Sequence, residues 1–240
     1  MFFKKRKLVY FCLLVAIYIF SGCTPAYIPN IVNSPNFSNK GEFQSTVALG
    51  THHSDLQFGY AATDHIGILL NGSFGSSDAD TSLNFHQHGF GEFGLGYYTT
   101  LSKITRFELF GGLGGGTIKA RFENDFYRDN VNASFTRVFF QPGIGIATDV
   151  FDGSFTTRMV LVKMNLYQDN LNNTFNTSLA PYIEPVITAK IGYKYIKLFS
   201  QLGFSIPLKQ NLDYNHQLLI ASFGLHFKFG KKERTAPRFE

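Results

Sequence analysis

The sequence has few cysteines, no apolar run long enough for a spanning helix, and little net charge once its first residues are set aside. Its two cysteines are Cys12 and Cys23, and Cys12 lies in a segment predicted to be removed, so the mature chain forms no internal disulfide. The apolar run Leu8 to Phe20 has about 13 residues, fewer than the roughly 18 that indicate a transmembrane helix. When residues 4–7 are excluded, the chain has 18 Lys and Arg residues and 17 Asp and Glu residues, a net charge of +1. This charge does not support nucleic-acid binding.

The first 22 residues predict an export signal, with a basic cluster at residues 4–7, an apolar core and small residues before Cys23. Ser21-Gly22-Cys23 resembles the bacterial lipoprotein box. The resemblance implies that Cys23 receives a lipid such as palmitate and becomes the first mature residue. Phe20 stands where that family usually has leucine, so ordinary cleavage with an unmodified cysteine is the alternative.

Residues 23–41 are predicted to be a lipid-anchored linker. The stretch contains Pro25, Pro29 and Pro35, several Asn and Ser residues, and no hydrophobic periodicity. Extended, its 18 residues from Thr24 reach about 55 Å, enough to link a lipid on a membrane surface to the first strand.

The remaining chain alternates with period two. From Leu219 to Phe229 every second residue is apolar, and the residues between them become polar towards His226 and Lys228. Two different faces in about ten residues are typical of a tilted transmembrane strand. The pattern recurs nine times upstream and predicts ten strands: 42–51, 54–62, 66–75, 85–101, 104–121, 134–149, 154–166, 181–194, 196–207 and 217–229.

The connections alternate in length. Short turns such as Thr63 to His65 and Ser102-Lys103 are followed by longer polar stretches, including Glu123 to Ala133 and Tyr167 to Ala180. Short periplasmic turns and long outer loops are typical of outer-membrane barrels. The sequence therefore predicts an all-β, antiparallel up-and-down transmembrane barrel over residues 42–230, with eight strands as the alternative count. A tail at 231–240 is predicted to be periplasmic, and an even strand count places both chain ends there.

The compositions of the two strand faces predict which one points inward. One face is aromatic, and the other is rich in glycine and carries most strand charges, as at Gly112 and Gly114. A soluble lipocalin-like barrel is the structural rival. A face meeting water would carry Lys, Glu and Thr rather than glycine, so the glycine-rich face is predicted to be the interior and the aromatic face to meet lipid.

The segment Tyr60-Ala-Ala-Thr-Asp-His-Ile-Gly67 resembles the strand, turn, strand unit of bacterial outer-membrane barrel proteins, and the last strand resembles their C-terminal assembly signal. Family members usually stop at the aromatic residue, whereas this chain continues from Gly230 to Glu240. The resemblance implies a Gram-negative outer membrane, with its lipid and the barrel assembly machinery as partners.

Charges on the inward face predict a plugged lumen. Glu92, Arg137 and Glu184 should form an upper layer in which both carboxylates flank the guanidinium. Charges in a lumen of this width must pair or stay wet. A lower layer is predicted to contain the following charges: Arg106, Glu108, Lys190, His226 and Lys228.

Two motifs suggest chemistry without establishing it. Gly111 to Gly116 lacks the Lys-Ser/Thr of a phosphate-binding loop, and no helix follows it. His52, His86 and His88 lie near the outer rim and are weak candidates for a metal, in a location resembling the catalytic rim of outer-membrane proteases. Solvated loop histidines are the favoured interpretation, so no cofactor, metal or catalytic residue is predicted beyond the covalent lipid on Cys23.

Three functions remain from the sequence. The first is a non-enzymatic surface or structural protein whose outer loops contact an extracellular ligand or partner. The second is a small solute pore or transporter, and the third is a rim enzyme acting on lipid or peptide. Because one barrel fold hosts all three, the fold does not decide among them.

Overall fold

A computed structural model describes residues 25–51, 53–78, 85–124, 127–169, 174–212 and 214–230. None of these residues belongs to a helix with the length and hydropathy of a membrane span. The strands are β1 (Phe43–Gly50), β2 (Ser54–Ala61), β3 (Ile66–Asp78), β4 (Phe85–Thr100), β5 (Thr105–Asn124), β6 (Tyr127–Ala147), β7 (Phe151–Asp169), β8 (Thr174–Tyr193), β9 (Ile196–Phe204), β10 (Ile206–Pro207) and β11 (Leu219–Phe229).

The strands close into one antiparallel barrel. Each long strand pairs with its neighbours along the chain, and β11 closes the ring by pairing with β1, where Phe43 lies opposite Phe229. The two-residue β10 follows β9 after Ser205 and pairs with β8, so ten long strands form the wall. The predicted antiparallel up-and-down barrel of about ten strands is confirmed.

The two strand faces differ as their period-two patterning predicts. Outward side chains such as Leu95 and Phe140 are 51% and 47% exposed, whereas the inward Glu92 and Arg137 are each 3% exposed. Inward glycines make room for large neighbours: a Cβ on Gly112 would lie 2.5 Å from the ring of Phe139. The polar face therefore encloses the lumen.

The barrel is taller on one side than the sequence predicts. Glu123 to Ala133 and Tyr167 to Ala180 were expected to be loops, but β5 extends to Asn124 and β8 begins at Thr174. Ladder hydrogen bonds do not require apolar side chains. Near the start of these extensions the outward positions are already polar, and Thr117, Lys119 and Thr136 are exposed.

The barrel has two distinct ends. Connections β2–β3, β4–β5, β6–β7 and β8–β9 lie at what we call the turn end, and the other connections lie at the loop end. The taller strands β4 to β8 and the 11-residue connection from Leu208 to Leu218 belong to the loop end.

Residues 25–41 run through the barrel, with Lys40 and Gly41 exposed at the turn end, and we call the whole segment the plug. Tyr27, Ile31 and Phe37 are 0% exposed, so the predicted tether is wrong for the described part of the linker. The plug shows no hydrophobic periodicity because the wall surrounds it on all sides, so its side chains need no single buried face.

The described chain begins and ends at opposite ends of the barrel. At the loop end the Ala26 amide donates to the Asn215 carbonyl at 2.9 Å, and at the turn end Gly230 lies beside Glu42. The prediction that both ends lie on one side therefore fails for the described residues. The signal at 1–22, Cys23 and the tail at 231–240 lie outside them.

Candidate functional site

The plug is held by hydrogen bonds from the wall to its backbone. Gln201 on β9 binds Val32 twice, accepting from its amide at 2.7 Å and donating to its carbonyl at 2.9 Å. Gln141 on β6 donates to the Asn33 carbonyl at 2.8 Å. Inward glutamines thus satisfy main-chain groups of a segment that has no strand partner inside the lumen.

The upper charge cluster surrounds Asn30 of the plug. Arg137 pairs with Glu92, with its Nε 2.9 Å from a carboxylate oxygen, and also donates to the Asn30 side chain. Gly114 on β5 lies in register between Glu92 and Arg137, so no side chain separates them. Arg137 Nη1 donates to the Tyr27 hydroxyl at 3.0 Å, which couples this ion pair to the plug.

Glu184 pairs with Arg158 rather than with Arg137, so the predicted three-residue layer is wrong in this contact. Arg158 Nη2 lies 2.6 Å from the Glu184 carboxylate and donates to the Asn30 carbonyl at 3.0 Å. Arg158 also lies 3.8 Å from Glu92. Sequence reasoning missed Arg158, although its period-two position after Ser154 and Thr156 on β7 places it inward.

The lower cluster holds the next part of the plug. The Phe37 amide donates to the Glu108 carboxylate at 2.8 Å, and Lys190 Nζ donates to the Ser34 carbonyl at 2.8 Å. Arg106 Nε donates to the Ser38 hydroxyl at 3.0 Å. These three predicted lumen charges thus contact the plug directly.

Two further predicted charges lie towards the turn end. His226 Nδ1 lies 2.9 Å from the Thr46 hydroxyl, and Lys228 lies 3.2 Å from Glu42. An additional buried pair joins Lys197 to Asp152 at 2.8 Å. Ion pairs therefore extend along much of the lumen.

The plug turns where the wall leaves room for it. Asn36 has a φ of 56°, a left-handed conformation that asparagine adopts more readily than most residues. Next to it, Phe37 packs against Tyr98, and a Cβ on Gly59 or Gly67 would come within 2.9 or 2.8 Å of its ring. Glycine at these wall positions therefore leaves space for the plug phenylalanine.

The connection between β10 and β11 lies over the plug at the loop end. The main-chain N–H of Gln217 donates to the Tyr27 carbonyl at 2.9 Å. The hydroxyls of Tyr182 and Tyr214 lie 3.0 Å apart. Burial lowers the pKa of His216 in this connection. The stability that neutral His216 contributes is present above about pH 6.5 and is lost as the pH falls through its lower folded-state pKa.

The rim histidines that the structure describes lie in pairs. His86 and His88 lie 3.0 Å apart between ring nitrogens, and His53 lies 2.9 Å from Asp55, while His52 is outside the described residues. Within the described ranges, no group of three or more His, Cys, Asp or Glu side chains is placed to hold a metal ion. All four described side chains of these pairs are buried.

The fold resembles that of known outer-membrane barrels. No family model and no curated protein sequence matches the chain. The outer membrane protease OmpT from Escherichia coli aligns over 80% of this chain and 94% of its own, with 11% identity and a TM-score of 0.54. The N-terminal β-barrel domain of OprF from Pseudomonas aeruginosa aligns over 79% and 98%, with 11% identity and a TM-score of 0.35, too low to carry an argument. The comparison with OmpT establishes a shared barrel architecture.

Proposed function

We propose that the protein is a non-enzymatic outer-membrane barrel lipoprotein of a Gram-negative bacterium, with a structural or surface-interaction role carried by its loop end. The observation that carries this proposal is the plug. An extended segment of the chain fills the lumen and is hydrogen-bonded to the wall from Tyr27 to Ser38. Because the plug occupies the lumen, the barrel is poorly suited to solute passage, and we assign recognition to the loop end.

The outward band of apolar side chains supports membrane insertion. Leu113 and Ile187 are each 64% exposed, and the band continues around the wall. So large a continuous apolar surface is unusual for a soluble monomer and suits lipid. Aromatic side chains at the turn end supply an interfacial girdle: Phe43, Tyr60, Tyr97, Phe151, Tyr193, Tyr195 and Phe229.

The same band suggests the orientation of the barrel. Beyond it, the strands β4 to β8 extend only at the loop end, where exposed outward residues such as Lys119 and Lys163 are polar. Long extensions on the outer side and short turns in the periplasm are typical of outer-membrane barrels. The loop end therefore faces outward in this proposal.

A charge in the apolar band should impair assembly. Leu95→Arg or Phe140→Arg is expected to cost about 2 to 4 kcal/mol, because an arginine on the lipid face loses its hydration. Thr136→Arg is the matched control, since Thr136 lies on the same face of β6 as Phe140 but beyond the band. The yield of heat-modifiable protein on a gel measures the effect, and equal yields from all three variants would favour a soluble barrel.

Lipidation of Cys23 is also part of the proposal. Ser21-Gly22-Cys23 ends a signal of suitable length, so metabolic labelling with radioactive palmitate should mark the wild type and leave Cys23→Ala unlabelled. A wild type that takes up no label would remove the lipid anchor from the proposal while leaving the barrel intact.

Planar bilayer recording of the purified protein tests the sealed lumen. We expect the wild type to show no steady conductance, because buried plug residues and ion pairs occupy the water path. A stable open channel in the wild type would instead promote the pore or transporter. An enzyme at the rim is not favoured, because the described rim histidines are buried and paired.

A further inference from the structure

We infer that the chain enters its own barrel from the outside, so that the mature N-terminus, with any lipid on Cys23, lies on the outer face of the membrane. This inference rests on the proposed function in one respect, the outward orientation of the loop end. It differs from the usual expectation for a barrel with an even strand count, in which the N-terminal end lies in the periplasm.

The order of contacts along the plug fixes its direction. Tyr27 is hydrogen-bonded to the β10–β11 connection at the loop end through Gln217. Asn30 and Ser34 then contact Arg158 and Lys190 of the wall in turn. At the turn end the Gly41 amide donates to the Ala61 carbonyl at 2.8 Å, two residues before β1 begins. The plug therefore crosses the lumen once.

A single crossing leaves the preceding residues on the loop side. A second passage through the lumen would need space beside the plug, but residues 27–37 are all buried against the wall or one another. Each residue spans at most about 3.6 Å, so the two residues from Cys23 to Pro25 are too few to cross the lumen again. Acyl chains on Cys23 would therefore reach the outer leaflet from the outer side.

The closure of the barrel provides a route to this arrangement. The plug directly precedes β1, and β1 pairs with β11, the last strand of the chain. The wall can therefore close around the plug only after β11 has reached β1. A lipid held at the loop end during closure would never have to pass through the finished lumen.

Thiol labelling on intact cells tests the inference. We compare three variants with the wild type: Thr24→Cys, Lys40→Cys and Lys209→Cys. Labelling of Cys23 in the wild type gives the background. Lys40 is exposed at the turn end and Lys209 at the loop end. With a membrane-impermeant maleimide, we expect Thr24→Cys to label on intact cells within about twofold of Lys209→Cys, since thiol labelling follows exposure. Lys40→Cys should label only after permeabilisation.

The outcomes separate this inference from the proposed function. Labelling of Thr24→Cys only after permeabilisation, with Lys209→Cys already labelled on intact cells, would overturn the inference alone. Labelling of Lys40→Cys but not Lys209→Cys on intact cells would overturn the outward orientation itself. An epitope inserted between Thr24 and Pro25 gives an independent readout: antibody binding to intact cells supports the inference, and binding only after permeabilisation overturns it.

Discussion

Deletion of residues 27–37 is expected to convert a non-conducting barrel into a stable open channel. These residues are buried in the lumen and make most of the plug contacts with the wall. The wall behind them carries Gln57, Gln141 and Gln201, whose side chains would then hydrogen-bond to water rather than collapse together. A ten-stranded wall leaves an interior slightly wider than one filled by its own side chains, so we expect conductance to rise at least about tenfold over the wild-type baseline.

The deleted segment supplies the control for this experiment. A synthetic peptide with the sequence of residues 25–41, added at the loop end, should reduce the conductance of the deletion variant. A peptide of the same composition in scrambled order should not, because the contacts of Asn30, Ser34 and Phe37 depend on their spacing. A deletion variant that assembles yet stays closed would show that the wall seals the lumen without the plug.

The charges of the emptied lumen predict weak ion selectivity. Six acidic and five basic side chains are buried among the described residues, so their charges nearly cancel. They are Glu42, Asp55, Glu92, Glu108, Asp152 and Glu184, with Arg106, Arg137, Arg158, Lys190 and Lys197. Anion and cation permeabilities of the deletion variant should therefore be similar.

The barrel wall was predictable from the sequence because period two is a local property. Each strand must place alternate residues on opposite faces, so ten recurrences such as Leu219 to Phe229 identify ten strands without knowledge of their partners. The ends of the strands were less predictable. Polar residues in Glu123 to Ala133 are typical of loops, but they also occur on strands that extend beyond an apolar band, and local composition does not separate the two.

The plug could not be derived from periodicity, because a peptide enclosed on all sides has no periodic face. One signal was available in its composition. The stretch contains Tyr27, Ile28, Ile31, Val32 and Phe37, five large apolar residues within a segment predicted to be a solvated tether. Residues of this kind are most often buried, and they indicate a buried segment better than prolines indicate a linker.

The partner of Glu184 depends on register, that is, on which residues of neighbouring strands lie opposite each other. Glu184 on β8 lies directly opposite Arg158 on β7, whereas Arg137 lies on β6, two strands away. Directly opposite side chains in an antiparallel pair are the closest cross-strand neighbours. The strand-by-strand register is therefore the information that sequence reasoning lacked in pairing these charges.

Replacement of Arg158 by alanine is expected to produce a large loss of barrel stability. Arg158 is 0% exposed and lies between Glu184, Glu92 and the Asn30 carbonyl of the plug. Its removal leaves the Glu184 carboxylate buried, and among the described residues the Ser205 hydroxyl, at 2.9 Å, is its remaining hydrogen-bond partner. Breaking a buried ion pair by removing one partner costs about 3 to 5 kcal/mol.

A double variant separates the lost ion pair from lost packing. The double variant Arg158→Met with Glu184→Gln removes both charges and keeps much of the side-chain volume. Because uncharged replacements of buried ion pairs are often neutral, we expect it to recover most of the stability that Arg158→Ala loses. Urea unfolding in detergent, followed by loss of heat-modifiable migration, measures all three proteins. An Arg158→Ala barrel that unfolds at the wild-type urea concentration would mean that water reaches Glu184, and the dry, sealed lumen would then be wrong. Equal losses in Arg158→Ala and the double variant would instead assign the effect to packing around Asn30 rather than to an uncompensated charge.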